Sequence, residues 1–478
     1  SPCLKPSNPI AMSSKANHFF CLSIVLSLLP LLGQSQPISV GSGATALTCD
    51  GKVYMAGSNE YGMLGMGLTA QDVNYFTQVP GLDSIVGVST HGAFVLALNE
   101  KGRLYYWGLN ASGAFGGRKS FYYRPEMRKN LDSLTAVAAG NEHILVLRAD
   151  STVWGFGGNL YGELGPVPPY NLDTARPFLS LPPIVDIAAG NHFSLALDHQ
   201  GRMWAWGWNN FGQLGQGNRD TSHQPLMITA PTNIQHLNAY RYTNGIAVDS
   251  NGGVWTWGEN RQGELGIPRD SQGPWTTTPT QVPNVQNAVS AVQGYRFSLA
   301  LLKSGKIMAW GKYYGLGTGN RQNRFTPGYV PGLDSISYIE ASDWTAFAID
   351  SAGNVYSWGI NPFGQLATGT DTFYLTPTEV PLNCSPYIAN RSYTFSNTHQ
   401  GEDPPQIYPN PATRVLAIQY PEGLFIQKVQ LLTITGNLLQ QWQGNPELIS
   451  LRPFSNGLYL LQFTSKKGRV YTQKLRIE

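Results

Sequence analysis

The sequence is short of charge: only 13% of its 478 residues are Asp, Glu, Lys or Arg, and their balance is +3. No global field therefore draws the chain to nucleic acid. Cysteine is scarce too, with 4 in all and no Cys-x-x-Cys pair, which argues against a disulfide-dense small fold or a paired-cysteine zinc site. The chain has no H-E-x-x-H, no G-x-S-x-G and no G-x-x-x-x-G-K-[ST]. Zinc-protease, serine-hydrolase and phosphate-loop chemistries thus lack their usual residues. The longest apolar run, fourteen residues near the N-terminus, is too short to span a bilayer comfortably, and no other segment approaches that length.

That run is "FFCLSIVLSLLPLL", Phe19 to Leu32, preceded by Met12 and Lys15 and followed by Gly33 and Ser35. The order of cation, short apolar segment and small residues reads as an export signal cleaved after Ser35. Met12 is the expected start, with residues 1–11 as upstream read-through; a buried N-terminal helix is the alternative. Cleavage removes Cys3 and Cys21 and leaves Cys49 and Cys384 in a compartment where disulfides persist.

What the sequence has in abundance is glycine (53), proline (32) and aromatic residues (12%). That mixture points to many short strands joined by turns. A motif recurs down the chain: "MAGSNEYGMLG", "YWGLNASGAFG", "GFGGNLYGELG", "AWGWNNFGQLG", "TWGENRQGELG", a shortened "AWGKYYGLG" and "SWGINPFGQLA". Its first glycines are Gly57, Gly108, Gly157, Gly207, Gly258, Gly311 and Gly359, separated by 51, 49, 50, 51, 53 and 48 residues. Seven copies so evenly spaced are a repeat architecture, each unit burying its apolar face on its neighbours. Within a unit, runs such as "VDIAAGNHFSLALDHQGRMWAWG" alternate apolar with small or polar residues, and a fourth short strand follows near "TPTQVP" or "TPTEVP". Four strands in each of seven units predict a closed ring, which removes exposed sheet edges.

The W-G-x-N-x-x-G-x-L-G motif, with a G-x-x-x-x-L-A-L strand and a D-x-x-G turn before it, resembles the repeat of the regulator of chromosome condensation family. The resemblance covers about Ile38 to Leu382 and implies a seven-bladed β-propeller. Some copies depart from it: Ala56 replaces the first Trp, and the sixth copy lacks the Asn and two loop residues. After a polar linker, "YPNPA", "TGN", "NGLYLL" and "TQKLRI" resemble, in that order, the C-terminal sorting domain of the type IX secretion system. That implies a two-membrane bacterium and delivery to the outer surface or medium. From Ile407 onward the chain carries 8 Lys and Arg against 3 Glu, a net +5, while the rest of the mature chain is slightly acidic. The basic face reads either as a docking surface for the secretion machinery or as a merely solvated one.

The expected organisation is all-β: residues 1–35 signal and upstream segment, 36–384 a seven-bladed β-propeller, 385–406 linker, and 407–478 a small β-sandwich sorting domain. In a closed ring the first and last blades are neighbours, so Cys49 and Cys384, 335 residues apart, are a candidate disulfide locking closure. A buried Cys49 with a free Cys384 is the alternative.

No catalytic residue, metal ligand or cofactor is expected. Asp150, Asp198, Asp249 and Asp350 recur before a turn, a placement that suits turn hydrogen bonding better than acid–base work. His91, His143 and His192 sit at repeat-equivalent places, which favours a structural role. The family's nuclear exchange activity does not carry over to an exported chain without a basic propeller tail or a large inserted loop. A photoreceptor reading fails for want of the tryptophan cluster that related plant light receptors carry, since this chain offers mainly Trp344. The closer analogue is the secreted bacterial propeller that binds and inhibits β-lactamases through loops on one face, a likeness of fold.

Aromatic residues load the segment between the motif and the fourth strand: Tyr75, Phe76, Phe121, Tyr122, Tyr123, Trp275, Phe325, Phe373 and Tyr374. Within the fourth motif, Trp208, Asn210 and Phe211 occupy positions that vary between copies. These rings, with Arg118, Arg124, Lys312 and Arg324 nearby, suit a protein or polysaccharide interface, or else cap the blade ends. The expected function is an exported non-enzymatic binding scaffold. The alternative, an exported glycan-processing enzyme, requires carboxylates converging on one face.

Overall fold

A computed structural model describes residues 36–382 apart from 42, 69, 111–112, 116–118, 167–170, 240–242 and 269–272. In the C-terminal region it describes 406–408, 415–419, 425–433, 438–444, 446, 448–451, 453–455, 457–465 and 470–477. The chain divides into two compact units, 1–393 and 394–478.

Seven four-stranded antiparallel sheets make up the first unit, each built from four strands in sequence order. Their first strands are Ile38–Val40, Ile85–His91, Leu134–Ala139, Ile184–Ala189, Ile234–Ala239, Ala288–Gly294 and Ile336–Ser342. All seven line one central cavity of about 80 Å³, so the sheets are blades of a propeller and the first strand of each is innermost. The second strands, such as Phe193–Asp198 (FSLALD), are buried along all or all but the last of their residues, which is why they read as near-continuous apolar runs. The fourth strands, such as Asn171–Pro177, alternate exposed and covered residues at the outer rim.

The repeated residues explain the repeated blade. Gly207 has φ +104, and a Cβ there would lie 2.5 Å from the carbonyl of His192. Only glycine fits so close to the neighbouring turn with a positive φ. The motif Asn closes the loop that follows: Asn209 Oδ1 accepts the Leu214 N–H at 2.9 Å, and its Nδ2 donates to the Asp220 carbonyl at 3.0 Å. The tryptophans join one blade to the previous one. Trp107, Trp206, Trp257, Trp310 and Trp358 are fully buried, and their Nε1 groups donate to the carbonyls of Met63, Glu163, Gln213, Glu264 and Gly315.

The ring closes without exchanging a strand, because blades one and seven each take all four strands from one contiguous segment. At this seam Ala56 stands where the tryptophan would be, and the Thr45 hydroxyl donates to the Gln365 carbonyl at 2.8 Å in its place. Asn74 and Gly369 exchange hydrogen bonds alongside it. Ile38, Leu47, Cys49, Phe347, Ile349 and Val380 share one core cluster across the seam, with Leu382 packed against it. Cys49 is disulfide-bonded; Cys384, the expected partner, lies outside the described residues.

In the second unit, the strands Gln406–Tyr408, Val415–Gln419 and Leu448–Ser450 form one sheet, and Ile426–Thr433, Leu438–Gln443, Gly457–Ser465 and Val470–Ile477 form another. Ile418 and Ile449 of the first share a core with Val429, Leu461, Phe463 and Leu475 of the second, a small β-sandwich. Among the described residues no helix is long and apolar enough to cross a membrane.

Candidate functional site

In a sheet of four antiparallel strands, the turn from strand one to two and the loop from strand three to four fall at the same end. Hydrogen bonds hold them together in blade after blade: Leu109 N–H to the Ala93 carbonyl, Trp208 to His192, Lys312 to Arg296 and Ile360 to Trp344, all at 2.7 to 3.0 Å. This loop face carries the motif turns and much of the aromatic load.

The rings expected between the motif and the fourth strand lie instead in the fourth strands themselves, Val73–Gln78, Phe121–Met127, Trp275–Gln281, Arg324–Tyr329 and Tyr374–Glu379, except Phe373, which immediately precedes the last. They divide by environment. Tyr75, Phe121 and Phe325 are exposed, while Tyr122 is buried with its ring 5.2 Å from Tyr106 and 5.6 Å from Phe115. Phe76, Tyr123, Trp208, Phe211, Trp275, Phe373 and Tyr374 are half-buried. Several cover the motif turn of the preceding blade: Tyr123 lies over Gly62, Phe325 over Gly263, and Tyr75 over Gly369 of blade seven. Phe76 and Tyr374 pack at the ring seam. Arg118 lies outside the described residues.

Two aromatic groups gather on the loop face. In the first, Tyr161, His192, Trp208 and Phe211 stand with ring centroids 4.8 to 6.2 Å apart. Glu163 Oε1 fixes His192 through Nδ1 at 3.1 Å, and the Arg261 guanidinium lies over Phe211 at 6.0 Å. The second group belongs to blades six and seven: Tyr295 with Trp344 at 6.3 Å and Tyr313 with Phe373 at 6.4 Å. Trp275 is held separately beneath Arg219, 4.5 Å away.

The recurring acids serve turns. Asp198 Oδ1 accepts the N–H groups of Gln200 and Arg202, and Oδ2 accepts from Arg202 Nε and Trp204 Nε1. Burial alone would raise this carboxyl, but the hydrogen bonds from Arg202, Trp204 and Gln200 outweigh it and hold the group below its ordinary value. Asp249 and Asp350 repeat the arrangement.

Serine and histidine meet twice, Ser194 Oγ to His143 Nε2 at 3.1 Å and Ser290 Oγ to His236 Nε2 at 3.2 Å. Ser194 and His143 are fully buried, Ser290 and His236 nearly so. Burial depresses His143 to about 4, so it stays neutral and the pair serves packing. The central cavity is lined by Asp186 and Glu340 among other groups, but these belong to blades four and seven, as far apart around the ring as two blades can be. Asp186 Oδ1 accepts the Ile187 N–H and Glu340 Oε2 accepts the Tyr338 hydroxyl. No group of three or more metal-ligating side chains occurs among the described residues.

Sequence reasoning did not single out Tyr295 or Arg296, which sit in a two-residue turn far from the motif. The signal available was the anomalous sixth copy, whose Lys312 and Tyr313 face that turn. It also overlooked the residue before each Leu-Gly. Glu163, Gln213, Glu264 and Gln365 each cap the N–H two residues back while offering a carbonyl to the next blade.

Residues 21–312 match the model of the RCC1-like domain, and 406–478 match the secretion system C-terminal sorting domain. The human E3 ubiquitin-protein ligase HERC2 is 31% identical over 70% of the chain, which spans only 6% of that protein's length. The ultraviolet-B receptor UVR8 of Arabidopsis thaliana is 28% identical over 72% of the chain and 69% of its own. Among solved structures, yeast RCC1 (Prp20), crystallised bound to Kap60, superposes with a TM-score of 0.64 at 18% identity, covering 80% of this chain and 92% of that one. Human WBSCR16 gives 0.64 at 22% identity, covering 69% and 94%. These likenesses are of fold. The sorting domain marks the protein as secreted to the cell surface or medium of a two-membrane bacterium by the type IX machinery. The chain thus belongs to the RCC1-like domain family, a seven-bladed β-propeller carried outward by a C-terminal sorting domain.

Proposed function

We propose that the mature protein is a non-enzymatic binding scaffold that presents the loop face of its propeller to a protein or glycan partner. The observation that carries this reading is the clustering of Tyr161, His192, Trp208 and Phe211 on that face, while the Ser–His pairs are sealed inside the blades. Aromatic rings with few rotors give large contact area at low entropic cost. The scaffold residues beneath them are committed to turns and blade contacts, so the rings stand on a rigid base. The ring seam belongs to the same design: Cys49 pairs with Cys384, tying blade one to the segment that follows blade seven.

The test is capture from the native surface community with the full-length protein as bait, compared with a Trp208→Ala/Phe211→Ala/Trp275→Ala variant. Loss of the captured partner in a variant that keeps its melting temperature is the expected result. Retention of every partner would overturn the proposal, as would turnover of a captured glycan that persists in the variant.

A further inference from the structure

The loop face is not uniform in charge. Around blade six, the turn Tyr295–Arg296 and the loop 312–323 carry Arg296, Lys312 and Arg321, with Arg324 opening the next strand. No Asp or Glu falls in either segment. The corresponding segments of blade seven carry Asp343 and Asp371, and those of blade one Glu60 and Asp72, with no cation described in either. None of the four blade-six cations forms an ion pair among the described residues, whereas Arg261 on blade five is engaged by Glu259 at 2.5 Å.

These cations are interleaved with rings. Arg296 lies over Tyr295 at 4.7 Å, Lys312 over Tyr313 at 5.6 Å and Arg321 over Phe373 at 6.0 Å. Trp344 stands beside Tyr295 and is 39% exposed. Arg296 and Lys312 are 16 residues apart, yet the Lys312 N–H donates to the Arg296 carbonyl at 2.7 Å, so both cations rise from one point.

The sixth copy is also where the scaffold motif is broken. Lys312-Tyr313-Tyr314-Gly315 replaces the usual Asn-containing loop, and the buried Tyr314 hydroxyl donates to the Tyr295 carbonyl at 2.5 Å to fasten loop to turn. Arg296 itself holds φ +64, a conformation that costs a side chain about 1 kcal/mol and that glycine would adopt freely. Its Nε is buried without a hydrogen-bond partner. The blade thus gives up its repeat residues and accepts strain to hold a cation–aromatic surface.

We propose that the blade-six surface binds an acidic polysaccharide, with Arg296 and Lys312 meeting the carboxylates of uronate units and Tyr295, Tyr313 and Trp344 receiving the C–H faces of the sugar rings. A guanidinium matches a carboxylate in a two-point fork, and aromatic rings supply the apolar platform that a sugar face needs. Among the described residues the patch has no exposed aliphatic anchor of the kind an acidic peptide would seat against, Leu316 being buried and Ile360 half-buried. Four cations on a chain of low net charge make too short a track for a nucleic-acid backbone. Asp343 and Asp371 stand on the blade-seven side of the patch, where Trp344 also sits, so the anionic groups of a ligand are favoured on the blade-six side.

This proposal rests on the binding-scaffold reading and names its ligand class. The test measures binding of the full-length protein to polygalacturonate, to neutral dextran and to a single-stranded oligothymidine, at low and at physiological salt. Variants are Arg296→Asn, chosen because Asn tolerates a positive φ, and Lys312→Gln, with the exposed Arg103→Gln on the opposite face as a charge-matched control. Polygalacturonate is expected to bind in preference to the other two, with each blade-six variant weakening it about tenfold and Arg103→Gln leaving it unchanged. Equal loss in the control, equal binding of dextran, or preference for the oligonucleotide would each overturn it. If polygalacturonate fails to bind while surface capture still depends on Trp208 and Phe211, the ligand class is refuted and the scaffold reading stands.

Discussion

The indole latches between blades make a comparison that the structure sizes in advance. Trp257 and Trp206 are both fully buried and both donate to a carbonyl of the preceding blade. Their second donors differ. The Glu163 carbonyl that receives Trp206 also receives the Ser194 hydroxyl at 2.9 Å. On blade five the residue paired with Trp257 is Gly245, which has no hydroxyl to give. Replacing either tryptophan by phenylalanine keeps a ring and costs about 1–2 kcal/mol for the volume lost. Trp257→Phe also strands a buried acceptor, adding about 1–2 kcal/mol. With an unfolding entropy of about 2.1 cal/mol/K per residue over about 340 residues, these sums lower the Tm by about 2 °C for Trp206→Phe and about 4 °C for Trp257→Phe. Thermal unfolding of the two variants by circular dichroism reads the difference. Equal losses, or a larger one for Trp206→Phe, would show that the second donor does not matter and refute the reasoning.

Two further outcomes follow from buried groups. His143 is neutral in the fold with its value pushed from 6.5 to about 4, so the unfolded chain binds more protons between those values. Stability is full above pH 6.5 and falls as pH drops toward 4, by about 3 kcal/mol in all; denaturant titrations across this window should lose that slope in His143→Gln. For the seam, non-reducing peptide mapping is expected to recover a Cys49–Cys384 linked pair, and Cys49→Ser to cost up to about 6 kcal/mol of stability in the chain-entropy model. A map linking Cys49 to another cysteine would refute that pairing.

Legibility in the sequence followed the range of the forces involved. Gly207 is required by its own φ and by one carbonyl in the adjacent turn, and Asn209 bonds backbone within its own loop. Requirements so local are written at fixed positions, and they repeat because the blade repeats. The substitution of Ala56 for tryptophan was visible as a gap, but not the Thr45 hydroxyl that fills it, because its partner Gln365 lies 320 residues away. Tyr122 and Phe325 both read as loop aromatics, and only packing separates the buried ring from the exposed one.

The sequence by itself determined the number of blades, the all-β class and the sorting domain at the end. Each depends on a short pattern whose energetics close within a few neighbouring residues. The tertiary structure alone decided which rings stay wet, how the seam closes, and that Arg296 and Lys312 rise together from blade six. Those relations depend on how hairpins fold back and how seven blades add up to a circle, and no short pattern encodes that sum.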